Sequence, residues 1–330
     1  MNTIPLFEPL AAELERVERK MREPAHPEYA QLTAVLSTLL DSGGKRLRPA
    51  LALLAGRFYP AEIEKLVSLA ASVEMLHTAT LVHDDLIDGS LLRRGNSTVN
   101  ARWSAGATVL TGDYLFARAA AFAAETGNVR VMSIFANTLM TICSGELRQI
   151  FDRHHVPHLV TEQAWKEALD QYDKRIHAKT ASLFAAATEA ASVLGNAPES
   201  EQVALHAYGQ LLGTGFQIVD DVLDFQGDQE VLGKPVAGDL REGIVTLPVL
   251  YFLREHPDDD RVAAVVRDGG DDDLVHEVVA AIREAGAVDQ ALDRARHLIA
   301  ESQTALSILP EGETRDTLHA LADYTISRDK

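Results

Sequence analysis

No stretch of this chain carries a convincing period-two alternation of apolar and polar residues. Apolar side chains recur instead at three- and four-residue spacing almost throughout. That spacing belongs to helices burying one face, and it leaves no strands from which to build a sheet. LFEPLAAELERVERKM reads as an amphipathic helix, and PEYAQLTAVLSTLLDSGG as a second that its glycines terminate. RPALALLAGRFY follows, then a long helix from about Glu62 to Asp88. Helices are expected again in TVLTGDYLFARAAAFAAETG, in VRVMSIFANTLMTICSGELRQIF, across residues 161–195 and in SEQVALHAYGQLLGTGFQIVDDVLDF. TLPVLYFLREH and three shorter helices complete the chain. Abundant Ala and Leu suit this reading. No Pro- or Ser-rich linker divides the sequence, so one all-α domain over residues 1–330 is expected.

Within this helical frame, LVHDDLIDG and FQIVDDVLDF stand out. Asp84, Asp85 and Asp88 fall on one helix face, as do Asp220, Asp221 and Asp224. Bare carboxylates at this spacing repel one another. A single such triplet would pass as a solvated face, but two identical ones, each following an apolar run, call for a cation. Oxygen-only donors suit a hard ion such as Mg²⁺, which takes one or two carboxylates and completes its shell with water and phosphate. The D-x-D-x-D-G alternation of a calcium loop is missing. PDDDR and GGDDDLVHE are different: they sit beside Pro and Gly at expected helix starts, where acidic residues cap helices.

The chain has 31 Lys and Arg against 49 Asp and Glu, a formal net charge of −18. This excludes non-specific nucleic-acid binding and means that an anionic substrate needs a local cluster of cations. GGKRLRP supplies Lys45, Arg46 and Arg48 after two glycines, without the spacing of a Walker loop. Arg93 and Arg94 follow the first acidic triplet, and Lys234 follows the second. Lys179 lies in otherwise apolar HAKTASLF. His77 precedes Asp84 by seven residues and so lies on a similar face, which favours phosphate contact over a core role. Two acidic metal clamps with surrounding cations suit ionisation of a diphosphate ester, whose carbon fragment becomes a carbocation and demands a dry, apolar pocket. Cys143 is the only cysteine, and the N-terminus lacks a signal-peptide pattern. No apolar run is expected to approach the ~20 residues that span a bilayer. A cytoplasmic protein with no transmembrane segment is expected.

The ordered set GGKRLRP, HTATLVHDDLIDGSLLRRG, TGDYLFARA, KTASLF, GFQIVDDVLDF and GKPVAGDLREGIVTLP resembles the trans-polyprenyl diphosphate synthases, the polyprenyl synthetase family, in its long-chain type. The likeness covers nearly the whole chain. It implies a helical bundle around a deep central cavity, usually a homodimer, and Mg²⁺-dependent condensation of isopentenyl diphosphate with an allylic diphosphate. On that resemblance the six aspartates hold metal, with Asp84, Asp85, Asp88, Asp220 and Lys179 at the chemistry. Lys45, Arg48, His77 and Arg94 hold isopentenyl diphosphate. Arg93, Lys179 and Lys234 bind the allylic diphosphate, with Thr180 and Gln217 nearby. Ile244 departs from the family, many members having Lys there. The departure points to weaker binding or to a regulatory partner subunit in a heterodimer.

Product length follows from the residue five positions before Asp84, which in this family commonly floors the growing chain. It is Ala79, with Thr80 beside it, and it leaves the cavity open toward Leu76, Met75 and Ser72. The expected product is hexaprenyl to octaprenyl (C30–C40), with Phe116 as the competing candidate for the floor. The alternatives are a farnesyl or geranylgeranyl diphosphate synthase, or one subunit of a two-component synthase. A class I terpene cyclase would replace the second triplet, and a non-catalytic subunit would lose acidic residues. Neither change is present.

Overall fold

The computed structural model describes residues 5–23, 29–41, 43–93, 95–226 and 236–328. Helices dominate, as their spacing predicts. By internal contacts the chain falls into two compact units, the first comprising Met1–Thr138, Leu183–His206 and Ile308–Leu318, the second Leu139–Ser182, Ala207–Ser307 and His319–Lys330.

The first unit begins with a 3-10 turn (Pro5–Leu10), followed by α1 (Ala11–Arg22), α2 (Ala30–Asp41), α3 (Leu47–Gly56) and α4 (Ile63–Ile87). A two-residue hairpin, β1 (Leu92–Arg93) with β2 (Asn96–Ser97), pairs Leu92 with Ser97 and Arg93 with Asn96. It is too short to register as a period in the sequence. Then come α5 (Val99–Arg102) and α6 (Ala105–Glu125), the start of α7 (Val129–Asp152) and nearly all of α9 (Ser182–Leu194). Every residue of α4 from Leu66 to Met75 is buried, as is Leu76. A helix apolar on all sides can only be a core helix or a membrane span. By length and composition α4 could in fact cross a membrane, which corrects the expectation that no run is long enough. However, 72% of its apolar window is buried, with α1, α3 and α6 packed around it. Ser72 Oγ donates to Ala119 O of α6 at 2.7 Å.

Arg46 belongs to this scaffold rather than to an anion site. It adopts the left-handed conformation (φ 51°) just before α3 and is buried. Its guanidinium donates to Glu74 Oε1 of α4 at 2.8 Å, to Glu18 of α1 and to Leu40 O at 3.2 Å. Burial works against the charge, but Glu74 and Glu18 more than offset it and hold the pKa above its ordinary value. Removing one partner of such a buried set costs about 3–5 kcal/mol.

The second unit contains the end of α7, α8 (Glu162–Ile176), most of α10 (Glu199–Gln226), α11 (Gly238–Arg241), α12 (Leu247–Glu255), α13 (Asp260–Asp268), α14 (Asp272–Glu284), α15 (Ala287–Ala305) and the end of α16 (Glu313–Ser327). Tyr172, Val222, Phe225, Leu247, Ile282 and Ala295 belong to its core. Four helices rather than three follow α12, because Pro310 and Gly312 part α16 from α15. The acidic stretches are caps: Asp259 accepts from Arg261 N at 3.0 Å, and Asp271 from Leu274 N at 2.8 Å. The helix expected over residues 161–195 is interrupted at His177–Ala181 by a π-turn, closed by Ser182 N–H bonding to His177 O five residues back. One residue is thereby inserted into the helix, a device frequent at functional sites.

Candidate active site

In the first unit, the apolar course of α4 ends in the first acidic triplet. Asp85 is buried, while Asp84 and Asp88 are half-buried. Asp88 caps the helix through its N–H to Asp84 O at 2.8 Å. Gly89 (φ +65°) then reverses the chain, a conformation that costs glycine nothing. The hairpin folds back, and Arg93 Nε donates to Asp85 Oδ1 at 2.7 Å. Asn100 Nδ2 holds Asp85 O and Ser90 O, each at 3.1 Å, and Thr98 Oγ1 donates to Ser90 O at 2.8 Å. Arg93, read from sequence as a diphosphate ligand, thus has a carboxylate partner in the triplet itself. Its side chain is still 39% exposed. Arg94 lies outside the described residues.

His83 was missed in the sequence. Its Nε2 lies 3.1 Å from Val109 O, and its ring meets Phe116 edge-on at 5.2 Å. Gly112 makes room for it, since a Cβ there would stand 2.1 Å from Nε2. His77 is half-buried, and Thr80 Oγ1 turns back to His77 O at 2.8 Å. Lys45 and Arg48 are half-buried at the start of α3, with the Arg48 guanidinium 4.9 Å from the centre of the Phe184 ring.

Ala79 is fully buried. Below it on α4, Leu76, Val73, Ser72 and Leu69 line a small apolar cavity completed by α6, α7 and α9 residues, Phe135 and Leu183 among them. Met75 is buried but does not line this cavity. Nor does Phe116, whose ring packs against His83.

In the second unit, each carboxylate of the second triplet has its own neighbours. Asp221 is buried, taking a hydrogen bond from Tyr172 Oη at 2.7 Å and another from Gln217 Nε2 at 3.0 Å. Gln217 Oε1 accepts in turn from Thr180 Oγ1 at 2.6 Å. The π-turn thereby joins the second triplet through an oriented amide. It also buries Thr180 and leaves Lys179 exposed. Asp224 accepts from Gly238 N and Asp239 N, both at 3.2 Å, and so caps α11. Asp220 receives Arg328 Nη2 at 2.5 Å. Lys234 lies outside the described residues.

Ile244 is buried and lines an open cleft shared with Tyr172, Arg175, Arg148 and Arg153. Arg175 donates to Val245 O and lies 5.5 Å from the Tyr172 ring. Neither Tyr172 nor Arg175 was singled out from sequence, although both precede Lys179 at helical spacing.

The donor chemistry fits a hard cation. Among the described residues no three His, Cys, Asp or Glu side chains form a ready metal cage. Mg²⁺ does not need one, because water and phosphate complete its shell. Without a cation, burial and the charge of Asp239 push the Asp221 carboxyl up to about 7, against the opposing hydrogen bonds of Gln217 and Tyr172 and the charge of Arg175. A bound dication would reverse that balance.

Comparison with known proteins decides the family. The Polyprenyl synthetase family model matches residues 29–282. The chain belongs to the polyprenyl synthetase family. It is 39% identical to heptaprenyl diphosphate synthase component 2 of Geobacillus stearothermophilus, with 97% of each chain covered. Among solved structures it is similar to a decaprenyl diphosphate synthase from Rhodobacter capsulatus (36% identity, TM-score 0.86, 98% of each chain). It is also similar to a polyprenyl synthase from Caulobacter crescentus CB15 complexed with calcium and isoprenyl diphosphate (35% identity, TM-score 0.88, 98% of this chain and 97% of that one). The all-helical isoprenoid synthase fold expected from the sequence is the fold of these proteins.

Proposed function

We propose that the chain is one polyprenyl synthetase domain, a prenyltransferase that adds isopentenyl diphosphate to an allylic diphosphate and releases an all-trans polyprenyl diphosphate of C30–C40. One observation carries this reading. Helix α4 ends in an acidic triplet and, below a fully buried alanine, lines an apolar cavity. A diphosphate head and a growing hydrocarbon tail need these two environments on one rigid element.

Asp84, Asp85, Asp88, Asp220, Asp221 and Asp224 would hold Mg²⁺, which supplies Lewis-acid stabilisation of the leaving diphosphate. The Caulobacter relative is complexed with calcium, which supports a divalent ion. Arg93 orients Asp85, and the Thr180–Gln217 pair orients Asp221. Lys179, with Arg93 and Lys234, receives the allylic diphosphate. Lys45, Arg48, His77 and Arg94 hold isopentenyl diphosphate. The allylic C–O bond breaks with its electron pair leaving on the diphosphate. The isopentenyl double bond attacks the allylic cation, and the resulting cation loses a proton to the departed diphosphate, restoring a double bond.

The elongating chain passes Ala79 and enters the cavity beside Leu76, so these residues set product length. The names of the heptaprenyl and decaprenyl relatives support a long product. A homodimer in the cytoplasm is the expected form. Met140, Cys143, Leu147, Ile150 and Phe151 make an exposed, largely apolar stripe at helical spacing on α7, which a second copy would cover. A second reading, a heterodimer with a regulatory subunit, is favoured by the component-2 name of the Geobacillus relative. Assay of the purified chain alone with isopentenyl and farnesyl diphosphates separates the two. Product without any added protein supports the homodimer, and activity only on adding a partner supports the heterodimer.

A further inference from the structure

Arg328, just past the end of α16, reaches the second acidic triplet. Arg328 is nearly buried, its side chain only 5% exposed. It is fixed by more than one contact. Its guanidinium lies 3.6 Å from the Phe216 ring centre, and Nη2 donates to Phe216 O at 2.9 Å. The same Nη2 meets Asp220 Oδ1 at 2.5 Å. Phe216 stands four residues before Asp220, one turn away on the same face of α10. The arginine is therefore anchored on the helix that carries the triplet, and its hold on Asp220 does not depend on Asp220 alone. The Asp220 side chain remains 42% exposed, so it is paired without being enclosed.

Asp221 accepts from a phenol and an amide, and Asp224 accepts from backbone N–H groups. Asp220 has a full positive charge, the Arg328 guanidinium, at hydrogen-bond distance. A fixed guanidinium has two opposed effects on a dication arriving at that carboxylate. It sets the carboxylate's orientation, and it repels the arriving charge. The guanidinium is itself nearly buried while Asp220 is partly open to water, so the repulsion is screened only in part. A diphosphate arriving together with the metal brings enough negative charge to cancel the repulsion.

We propose that Arg328 is a positioning residue that makes cation binding at Asp220 conditional on the diphosphate. It blocks occupation by the free metal ion and permits occupation by the metal–diphosphate pair. This rests on the reading that the second triplet binds metal. Arg328 would thus keep the site from filling unproductively, without touching the reacting atoms.

The test is Mn²⁺ binding to the full-length protein, followed by electron paramagnetic resonance and needing no turnover. Wild type, Arg328→Gln, Arg328→Lys, Asp220→Asn and the Asp220→Asn/Arg328→Gln double variant are titrated with and without inorganic diphosphate. Without diphosphate, Arg328→Gln is expected to tighten one class of Mn²⁺ site roughly tenfold, as removal of a close like charge from a partly screened site requires. Arg328→Lys stays near wild type, and the double variant shows no tightening over Asp220→Asn. With diphosphate, the difference between wild type and Arg328→Gln shrinks. Thermal melts accompany each titration, and Arg328→Lys retains the charge if Arg328→Gln folds poorly. Weakened Mn²⁺ binding in Arg328→Gln, or a tightening that persists in the double variant, overturns the proposal. If Asp220→Asn weakens Mn²⁺ binding while Arg328→Gln leaves it unchanged, the role of Arg328 fails and the metal site stands. If neither substitution alters binding in any condition, the metal assignment of the second triplet fails with it.

Discussion

Replacing Ala79 by Tyr should shorten the product by about three isoprene units. Ala79 is fully buried on α4, and the cavity begins at Leu76 and runs down the same helix to Leu69. Ten residues separate Ala79 from Leu69, or about 15 Å at 1.5 Å per residue. An extended isoprene unit is comparable in length with one helical turn, about 5.4 Å, so the blocked stretch is about three units long. A C35 product would become C20. The phenol must be accommodated in a packed core, at a cost of about 1–3 kcal/mol, so a lower melting temperature is expected in a protein that still turns over. The assay is reversed-phase chromatography of the dephosphorylated products, wild type against Ala79→Tyr, under excess isopentenyl diphosphate. Unchanged chain length in an active variant would refute the argument. So would a wild-type enzyme that already stops at C20.

Other consequences are open to direct measurement. Asp84→Ala and Asp220→Ala should each reduce turnover by several orders of magnitude, at ~1.4 kcal/mol per tenfold. Lys45→Ala should raise the Michaelis constant for isopentenyl diphosphate and leave that for the allylic substrate nearly unchanged, and the reverse pattern would show that the two sites are exchanged. Tyr172→Phe removes the phenol that donates to buried Asp221, and should lower unfolding stability by about 1–3 kcal/mol in denaturant melts. Phe151→Arg places a charge on the exposed α7 stripe, and should shift the protein from dimer to monomer in light scattering without altering its helical circular dichroism.

The helices and both aspartate triplets were legible because each has a local signature: spacing for the helices, and repeated carboxylates after an apolar run for the triplets. The caps at Asp259 and Asp271 were legible for the same reason. What escaped notice was set by partners distant in sequence. GGKRLRP reads as three equivalent cations, yet Arg46 is consumed by Glu18 and Glu74, whose carboxylates only the fold brings to it. The hairpin that returns Arg93 to Asp85 is four residues of strand, too short for any period to show. The π-turn at Lys179 leaves the apolar spacing nearly intact and shows only in backbone bonding. Arg328 pairs with Asp220 across 108 positions of sequence. The edge-on contact of Phe116 with His83 likewise joins residues 33 positions apart and leaves no mark in local spacing.

Metal-dependent prenyl elongation to a long product can be measured on the purified protein in one experiment. The protein is incubated with labelled isopentenyl diphosphate and farnesyl diphosphate, with Mg²⁺ or with excess EDTA, and the products are resolved by length. All-trans products of C30–C40 are expected with Mg²⁺ and none with EDTA. Full activity in EDTA, or products ending at C20 or below, would contradict the proposed reaction.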